Sequence, residues 1–454
     1  MNAQPRRILH ISTDSALGGV AEVIRAESAA LSGTGWTADW YVAKPRGVAK
    51  EAAFLLHGSL YGRRTDSPFP ADTAAAGLAA YLADHGAAVA EAARTADAVV
   101  LHDPMGLALA PAVTGGPGRV LWRCHLGFEQ PERLDRSALE TVLPLLEKVD
   151  AIVFSSSAFV WPQLRGDQRL LITPPGIDPH SWKNRDIPDE VADPLWAALS
   201  GGRPAPVPEQ CAPGAEAAVD DIGTGGLTRP DAPFVLQVSR WDPLKGQLGV
   251  LRGFALLARE DSELELVLAG PHIVPTNYPA NAEIRRRLAD ERAALPEGVR
   301  RRVHIWSFRP GPRAAEDLAL NVLRRRAATV VQNSLRESFG LTVTEALWQR
   351  AVVVGAAVGG IADQIDHGIN GLLTPYSAGD AAWAGTVRWS LDDAAGRSRW
   401  REAGRRSVAE RHLAAHAVGR QLALLTGQRP GVRAGAEGGG TAGSALMSLP
   451  YDRP

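Results

Sequence analysis

The sequence has few cysteines, few lysines and no long apolar segment. Its two cysteines, Cys124 and Cys211, lie far apart in 454 residues, which argues against a disulfide framework and indicates a reducing compartment. The N-terminus shows no signal-peptide pattern, and no window reaches the ~18 apolar residues that a membrane-spanning helix needs. We therefore expect a cytoplasmic protein without a membrane span.

The chain also lacks an excess of charge of either sign. Its 49 lysines and arginines balance 50 aspartates and glutamates, so neither nucleic acid nor an anionic membrane is expected as the main partner. Only five of the basic residues are lysines, at positions 44, 50, 148, 183 and 245. A lysine that falls inside a motif is therefore informative in this chain.

Apolar runs of strand length alternate with helical patterns through most of the chain. The run Arg7–Ser12 is followed by a helical pattern over Val20–Leu31 and a second strand pattern over Trp36–Val42. Such alternation is typical of parallel, doubly wound sheets, and the length and 45% hydrophobic content support two cores. The predicted fold class is α/β, with two Rossmann-like domains. The predicted divisions are an N-terminal domain over 1–184, a partly mobile linker or insert over 185–233, a second domain over 234–405, a helix over 406–426 that crosses back to the first domain, and a disordered tail over 427–454.

The stretch over 333–349 is a loop that leaves a buried strand and enters an amphipathic helix. The first turn of such a helix leaves backbone N–H groups unpaired at the positive end of the dipole, so the amides of residues 340–342 offer a seat for a phosphate. Glu337 precedes this seat, and Glu345 lies roughly 5–7 Å beyond it along the helix. The arrangement suits a sugar nucleotide, with one glutamate on the sugar and the other on the ribose. The alternative is that both glutamates are solvated charges at a helix end.

A second loop supplies two cations. The strand Phe234–Val238 leads into Ser-Arg-Trp-Asp-Pro-Leu-Lys-Gly, from which Arg240 and Lys245 can converge on the same diphosphate. Two cations there would stabilise the negative charge that builds on a departing nucleotide. An ordinary basic loop is the other interpretation, but the scarcity of lysine favours the functional one.

Two histidines lie at the ends of predicted strands in the first domain. His102 follows the strand Ala98–Leu101, and His125 ends the segment Trp-Arg-Cys-His. Ligands of open parallel sheets bind outside the carboxyl ends of the strands, so both imidazoles fall where chemistry is expected, although a structural hydrogen bond would also explain either one. Gly18 and Gly19, at the first strand-to-helix turn, indicate a close ligand approach or a tight turn. They lack the full Gly-x-Gly-x-x-Gly dinucleotide fingerprint.

Together these motifs resemble glycosyltransferase family four, and within it the trehalose synthase and trehalose phosphorylase group. The spacing of Glu337 and Glu345 is similar to the Glu-x7-Glu motif of retaining enzymes with the GT-B fold, in which two Rossmann-like domains face a central cleft. One departure is Gly176, which stands where this group is expected to have serine. The matching segments are 18–22, 102–104, 122–125, 174–179, 183–184, 238–245, 334–346 and 358–361.

The resemblance implies a role for each motif and a metal-independent reaction. The chain agrees in having no Asp-x-Asp triplet, the usual carboxylate pair for a nucleotide-bound metal. No cofactor is implied, because the nucleoside-diphosphate sugar is a substrate, and the expected partners are that donor, a small polyol or sugar acceptor, and in addition a second copy of the chain as a homodimer. The implied site residues are His125, Glu337, Arg240 and Lys245 for catalysis, Gly340, Leu341, Thr342, Glu345, Gly18 and Gly19 for the donor, and His102, Asp103 and Arg123 for the acceptor.

Three functions fit this resemblance. The favoured one is a retaining hexosyltransferase, trehalose synthase-like, that moves a hexosyl group, expected to be glucosyl, from a nucleoside-diphosphate sugar to a sugar or cyclitol hydroxyl. The second is a trehalose phosphorylase-like enzyme, in which inorganic phosphate replaces the nucleotide and Glu345 has no ribose to bind. The third is a non-catalytic protein that binds sugar nucleotides on the same scaffold.

Overall fold

The structure is a computed structural model that describes residues 4–15, 18–63, 67–222, 225–272, 279–375 and 378–426. The tail that we expect to be disordered, 427–454, lies outside the described residues. Within the described part of the chain, no helix is both long enough and apolar enough to cross a lipid bilayer. The helices and strands form two α/β domains, as the alternating pattern predicts.

The first domain is built on a six-stranded sheet with the strand order β2-β1-β3-β4-β5-β6, in which all neighbours are parallel. This order brings the carboxyl ends of β1, β3 and β4 side by side. The strands are β1 (Arg6–Ser12), β2 (Trp36–Val42), β3 (Ala98–His102), β4 (Arg119–Cys124), β5 (Ala151–Phe154) and β6 (Leu170–Ile172), and the helices are α1 (Gly19–Ala30), α2 (Gly47–Leu60), α3 (Ala71–Ala93), α4 (Asp103–Leu107), α5 (Ala110–Val113) and α6 (Arg136–Val142).

The second domain is built on a seven-stranded sheet with the order β15-β14-β13-β10-β11-β12-β9, in which only β9 is antiparallel to its described neighbour. Its strands are β7 (Ala205–Pro206), β8 (Glu216–Ala217), which pairs only with β7, β9 (Val219–Asp221), β10 (Phe234–Val238), β11 (Glu265–Gly270), β12 (Val303–Phe308), β13 (Thr329–Gln332), β14 (Val353–Ala356) and β15 (Leu372–Thr374). The helices are α7 (Asp189–Ser200), α8 (Gln247–Glu260), α9 (Pro279–Ala293), α10 (Glu297–Arg300), α11 (Arg313–Arg326), α12 (Leu341–Trp348), α13 (Gly359–Ala362), α14 (Gly379–Asp392), α15 (Ala394–Arg411) and α16 (Ala414–Leu425).

The central strands of both sheets are buried along their whole length, as strands covered on both faces require. β10 and β11 have no exposed residue, and β3 is likewise fully buried. In the first domain the rings of Trp122, Phe154 and Trp161 pack against one another with centroids 5.4–5.8 Å apart. This rigid core fixes the strand ends from which the polar side chains project.

Much of the segment 185–233, expected to be a partly mobile linker or insert, forms helices and strands that pack on the second domain. Helix α7 packs on α11, and the indole of Trp196 stacks on Phe234 at 5.3 Å. Strand β9 adds to the edge of the second sheet, where the Asp221 carboxylate accepts a hydrogen bond from the Ile305 amide (3.0 Å). The segment lacks periodicity because its strands are only two or three residues long, and one of them, β9, pairs with a distant part of the chain.

The C-terminal helix is also placed differently from the expectation over 406–426. Helix α15 ends at Arg411 and packs with α12 of the second domain, whereas α16, which starts at Ala414, packs on α1. Val418 of α16 is buried in the same apolar cluster as Ile8 of β1. The crossing to the first domain therefore occurs at residues 412–413, not at 406.

The chain crosses between the domains at two places that are hydrogen-bonded to each other. The Ile177 amide donates to the His412 carbonyl (2.9 Å), and the Ala414 amide donates to the Ile177 carbonyl (2.9 Å). Gly176 lies against this contact, where a Cβ atom would approach the backbone carbon of Leu413 to 2.4 Å. The close backbone approach explains glycine at a position where the family resemblance suggests serine.

Candidate active site

The side chains of Lys245 and Glu337 are in contact at the loop that precedes α12. The Lys245 ammonium lies 2.6 Å from the Glu337 carboxylate, which also accepts a hydrogen bond from the Ser334 hydroxyl (3.0 Å). The Gln237 side chain, buried in β10, donates to the Lys245 carbonyl (2.8 Å) and so fixes the basic loop. The two motifs that the sequence singles out therefore meet in one site.

The start of α12 has the backbone geometry of an anion seat. Gly340 has φ = 89°, a left-handed conformation that favours glycine, and its carbonyl accepts from the amide of Val343 (2.9 Å). The amides of Gly340, Leu341 and Thr342 precede that first hydrogen bond and lie at the positive end of the helix dipole. Their contact with a donor remains a prediction.

Arg240 joins this site less closely than the sequence predicts. Its guanidinium pairs with Asp242 at 3.6 Å and its side chain is 57% exposed, whereas the Lys245 side chain is 14% exposed. Both residues leave the same loop, but only Lys245 contacts Glu337 in the described structure. Arg240 therefore lies on the solvent side of Lys245, and convergence of the two cations on one diphosphate remains a prediction.

Glu345 is buried in an ion-pair network rather than open to a ribose. Its carboxylate pairs with Arg324, and the Lys183 ammonium lies 3.7 Å from it. Lys183 also reaches Asp317 (3.3 Å) and Glu22 of α1 (2.8 Å). Because the side chain of Glu345 is 6% exposed, the expected ribose contact would require that network to rearrange.

Lys183 and Arg324 are the charged residues that sequence reasoning missed. Lys183 lies in one of the segments that carry the family resemblance, and the scarcity of lysine in this chain is a signal that could have identified it. Arg324 lies on the buried side of α11 within Arg324–Arg326, where the sequence shows three arginines alike. A basic run gives no sign of which member faces inward.

On the other side of the cleft, three histidines form a hydrogen-bonded row. His102 Nδ1 lies 2.8 Å from His125 Nε2, and His102 Nε2 lies 3.0 Å from His10 Nδ1. His102 is 1% exposed and both of its ring nitrogens face other histidines. The expectation that His102 binds the acceptor directly is therefore wrong, whereas His125 is only partly buried and remains at the surface of the cleft.

Arg123 and Asp103 also support the site from behind. Arg123 is 2% exposed and pairs with Glu27 of α1, so the predicted acceptor contact is not available to it. Asp103 has φ = 60° and its carboxylate accepts a hydrogen bond from the His125 amide (2.8 Å). Burial raises the pKa of Asp103 to about 7, against the opposing effects of that hydrogen bond and of Arg123.

Several contacts hold the two sides of the cleft together. The Arg336 guanidinium lies over the ring of Phe128 at 4.7 Å and donates to the Tyr61 carbonyl. The Gly127 amide donates to the Ser338 hydroxyl (2.9 Å). We call this set of contacts, together with the Glu129 carboxylate that accepts from the Gly359 amide (2.6 Å), the cleft clasp.

The cleft clasp shows that the loop before α12 touches the first domain directly after His125. The segment 126–129 follows that histidine, and 336–338 surrounds Glu337, so both predicted catalytic groups border the same contact. Burial raises the pKa of Tyr61 well above its usual range, and the Glu337 charge raises it further. The two domains are therefore in direct contact beside the cleft, and we call this the closed arrangement.

The glycines at the start of α1 lie at the edge of this region. Gly18 has φ = 100° and caps α1, and a Cβ on either Gly18 or Gly19 would meet nothing within 4 Å. Their position leaves room for a ligand, and donor contact remains a prediction. Among the residues that the structure describes, no group of three or more His, Cys, Asp or Glu side chains is arranged to hold a metal ion.

Comparison with known protein families divides the chain in the same way as the fold. Residues 225–407 match the family described as glycosyl transferases group 1, and residues 10–161 match the N-terminal domain of trehalose synthase. The trehalose synthase of Rubrobacter xylanophilus is 29% identical over 381 residues, which cover 83% of this chain and 81% of the relative. The matched regions include the histidine row in the first domain and the Glu337 loop in the second.

Solved structures with the same architecture are distant in sequence. The trehalose-6-phosphate synthase OtsA aligns with a TM-score of 0.70 at 15% identity and covers 92% of this chain and 99% of that one. The Anabaena protein HepE, in complex with UDP and glucose, aligns with a TM-score of 0.63 at 17% identity over 93% of this chain and 100% of its own. These likenesses confirm the predicted GT-B fold. The family models and the trehalose synthases together match both domains, so the chain is similar to glycosyltransferases of the GT-B fold, near the trehalose synthase group.

Proposed function

We propose that the protein is a retaining glucosyltransferase that moves a glucosyl group from a nucleoside-diphosphate sugar to a hydroxyl of glucose or a cyclitol, giving trehalose or a similar α,α-linked product. The observation that carries the proposal is the Lys245 ammonium 2.6 Å from Glu337, next to the amides that open α12. A cation, a helix N-terminus and a carboxylate in one place suit a sugar diphosphate, whose phosphates are anionic and whose sugar carries hydroxyl donors.

In the proposed reaction the bond between the anomeric carbon and the donor phosphate oxygen breaks, and the acceptor oxygen bonds to the same face of that carbon. The acceptor proton passes to the leaving phosphate oxygen, so the products are the glycoside and a nucleoside diphosphate. Lys245, Arg240 and the amides of residues 340–342 stabilise the charge that builds on the leaving group. Positioning supplies the rest of the acceleration.

The support for direct same-face attack comes from the carboxylates near the cleft. Asp103 is bonded to the His125 amide, and the Glu129 carboxylate is bonded to the Gly359 amide across the cleft. Neither is held as a free nucleophile in the closed arrangement. The same closed arrangement excludes water, which would otherwise compete with the acceptor hydroxyl.

Support for the trehalose-type product comes from the relatives. The Rubrobacter protein is a trehalose synthase, OtsA is a trehalose-6-phosphate synthase, and HepE is seen with UDP and glucose. The first shares enough sequence along both domains to suggest the same class of acceptor.

The experiment is a donor panel with product analysis. The purified protein is incubated with UDP-, ADP- and GDP-glucose and with glucose or myo-inositol, and nucleoside diphosphate release is measured together with product mass and anomeric configuration by NMR. We expect release from at least one donor with formation of an α-linked disaccharide or pseudodisaccharide. Absence of release from every donor, with formation of glucose 1-phosphate from trehalose and phosphate, would instead establish a phosphorylase.

A thermal-shift series separates the remaining alternative. A donor at about 100 times its Kd stabilises the folded state by about 2.7 kcal/mol, which is easily measured. Donor binding without turnover across a panel of sugars and polyols would establish a non-catalytic binding protein and overturn the proposal.

A further inference from the structure

The histidine row, which consists of His10, His102 and His125, runs from the interior of the first domain to the cleft. Successive rings are nearly coplanar, at 24° and 22°, with centroids 5.3 and 5.1 Å apart. This is the geometry of imidazoles joined edge to edge by hydrogen bonds. His10 and His102 are buried whereas His125 is partly exposed, so only His125 of the three can reach a ligand in the cleft.

The row follows from the register of three adjacent strands. In the pairing of β1 with β3, His10 lies opposite Val100, and in that of β3 with β4, His102 lies opposite Arg123. His102 therefore lies two residues beyond the residue opposite His10, and His125 lies two residues beyond the residue opposite His102. Because side chains alternate between the faces of a sheet, the three imidazoles share one face and advance diagonally to its carboxyl edge.

Three neutral imidazoles in a row have only two ways to make both hydrogen bonds. Burial lowers the pKa of His10 to about 4 and holds those of His102 and His125 well below their usual range, so each ring carries one proton. His102 can donate through one nitrogen only, and its other nitrogen must accept. Both bonds therefore point the same way, and the direction decides whether His125 Nδ1 carries a proton.

Charges of opposite sign act on the inner end of the row. Glu27, whose carboxylate is held by Arg123 and by Gln421 (3.2 Å), acts on His10 in the sense that favours a proton on that ring, and Arg123 acts against it to a smaller extent. His10 Nδ1 faces His102, so Nε2 is the nitrogen of His10 that lies outside the row. In the direction with a proton on that Nε2, His10 accepts from His102, and His102 accepts from His125.

We propose that the histidine row fixes the tautomer of His125, with its proton on Nε2 donated inward and its Nδ1 lone pair presented to the cleft as an acceptor for a sugar hydroxyl. His10 and His102 are positioning residues that act through His125. The inference rests on the proposed function in one respect, namely that His125 borders the sugar of the donor. Within the described residues no hydrogen bond occupies His125 Nδ1, which leaves it available.

The direct test is a spectroscopic one that needs no substrate. The protein is labelled with 15N-histidine, and the ring nitrogens of its 11 histidines are assigned with single substitutions at positions 10, 102 and 125. We expect a pyridine-type Nδ1 and a pyrrole-type Nε2 for His125 near neutral pH. A pyrrole-type Nδ1 on His125 would overturn the proposal, whether or not the protein transfers sugars.

A pair of variants tests whether the inner histidine sets that state. His10→Leu removes the acceptor at the end of the row, so the proton of His102 moves to Nδ1 and His125 Nδ1 becomes pyrrole-type. His10→Asn keeps a carbonyl near the former Nδ1 and retains the wild-type tautomer. For the glucosyl transfer proposed above, His10→Leu is expected to lower kcat/KM about tenfold, the effect of one hydrogen bond, and His10→Asn to restore most of it.

The outcomes of this comparison are distinct. An unchanged His125 spectrum in His10→Leu, or equal activity of the two variants, would show that the row has no influence on His125. If His10→Leu does not fold, the wild-type spectrum alone decides the question. If no donor is turned over, the proposed function fails while the tautomer assignment still stands or falls on its own spectrum.

Discussion

Lys245 and Glu337 are 92 residues apart in sequence, and their side chains nevertheless form one contact. The sequence predicted this meeting because each residue lies in a loop after a strand of the same parallel sheet, and such loops share one edge. It did not predict the unequal placement of Arg240, because the exposure of a flexible side chain depends on neighbours that the motif does not specify.

Removal of the lysine is expected to lower turnover far more than stability. In Lys245→Ala the leaving diphosphate loses a cation, and removal of one such charge-stabilising group costs about 10²–10³ in kcat. Arg240→Ala is also expected to lower kcat, with its melting temperature close to that of the wild type. The measurements are steady-state kinetics and thermal melts, with the exposed Lys148→Ala as the control. Near-normal rates in Lys245→Ala would reject its assigned role.

Asp103 is expected to make stability depend on pH. Its folded-state pKa, about 7, lies above the ordinary value of 3.8, so its stabilising contribution is complete below pH 3.8 and is lost as pH rises toward 7. Asp103→Asn keeps an acceptor for the His125 amide, tolerates φ = 60° and does not titrate. From pH 5 to 7 the free energy of unfolding of wild type should fall relative to the variant by roughly 2 kcal/mol.

Urea denaturation at pH 5, 6 and 7 measures that difference directly. Parallel curves for the two proteins would mean that Asp103 is ionised throughout the range.

At the residue scale, the contact of His10 with His102 is one that the sequence alone could not predict. His10 lies inside a strand, and only the register of β1 against β3 reveals that it touches His102.

At the scale of elements, the sequence predicted strands well and linkers poorly. The first strand, expected over Arg7–Ser12, spans Arg6–Ser12, and the strand Phe234–Val238 has the predicted bounds. Both are buried runs whose pattern is local. β9 escaped prediction because three residues carry no period, and its stability comes from His304 and other partners on β12.

A side chain at residue 176 is expected to disturb the contact between the two crossings. In Gly176→Ser the new Cβ would lie 2.4 Å from the Leu413 backbone carbon, and backbone there cannot yield as a flexible side chain would. Overpacking of this kind costs about 1–3 kcal/mol. The measurement is the free energy of unfolding, with Gly419→Ser as the control because that position has open space. Equal stability of the two variants would contradict this account.

At the scale of the whole molecule, the two-domain division follows from the sequence, whereas the closed arrangement does not. The alternation of strands and helices is repeated on both sides of the insert, which indicates two sheets. The cleft clasp joins Arg336 and Phe128, which no local pattern connects. Contacts of this kind depend on the mutual orientation of domains, which the sequence encodes only through their final packing.

Loss of the arginine in the cleft clasp is expected to open the molecule. Arg336→Leu removes the guanidinium from the rings of Phe128 and Tyr61, an interaction worth about 0.5–2 kcal/mol. The ligand-free variant should show a larger radius of gyration in small-angle X-ray scattering and weaker donor binding. The exposed Arg399→Leu is the matched control. Superimposable scattering profiles of Arg336→Leu and wild type would show that this contact does not hold the domains closed.

The hydrogen bonds between Ile177 and residues 412–414 join the two chain segments that cross between the domains into one paired connection. Two paired segments can bend together about one axis but resist sliding past each other, so we expect the two domains to move relative to each other about a hinge at this contact. An insertion or deletion in one of these two segments alone would shift the register of the backbone hydrogen bonds between them. Insertions near residue 177 should therefore be tolerated only when residue 413 gains a matching one.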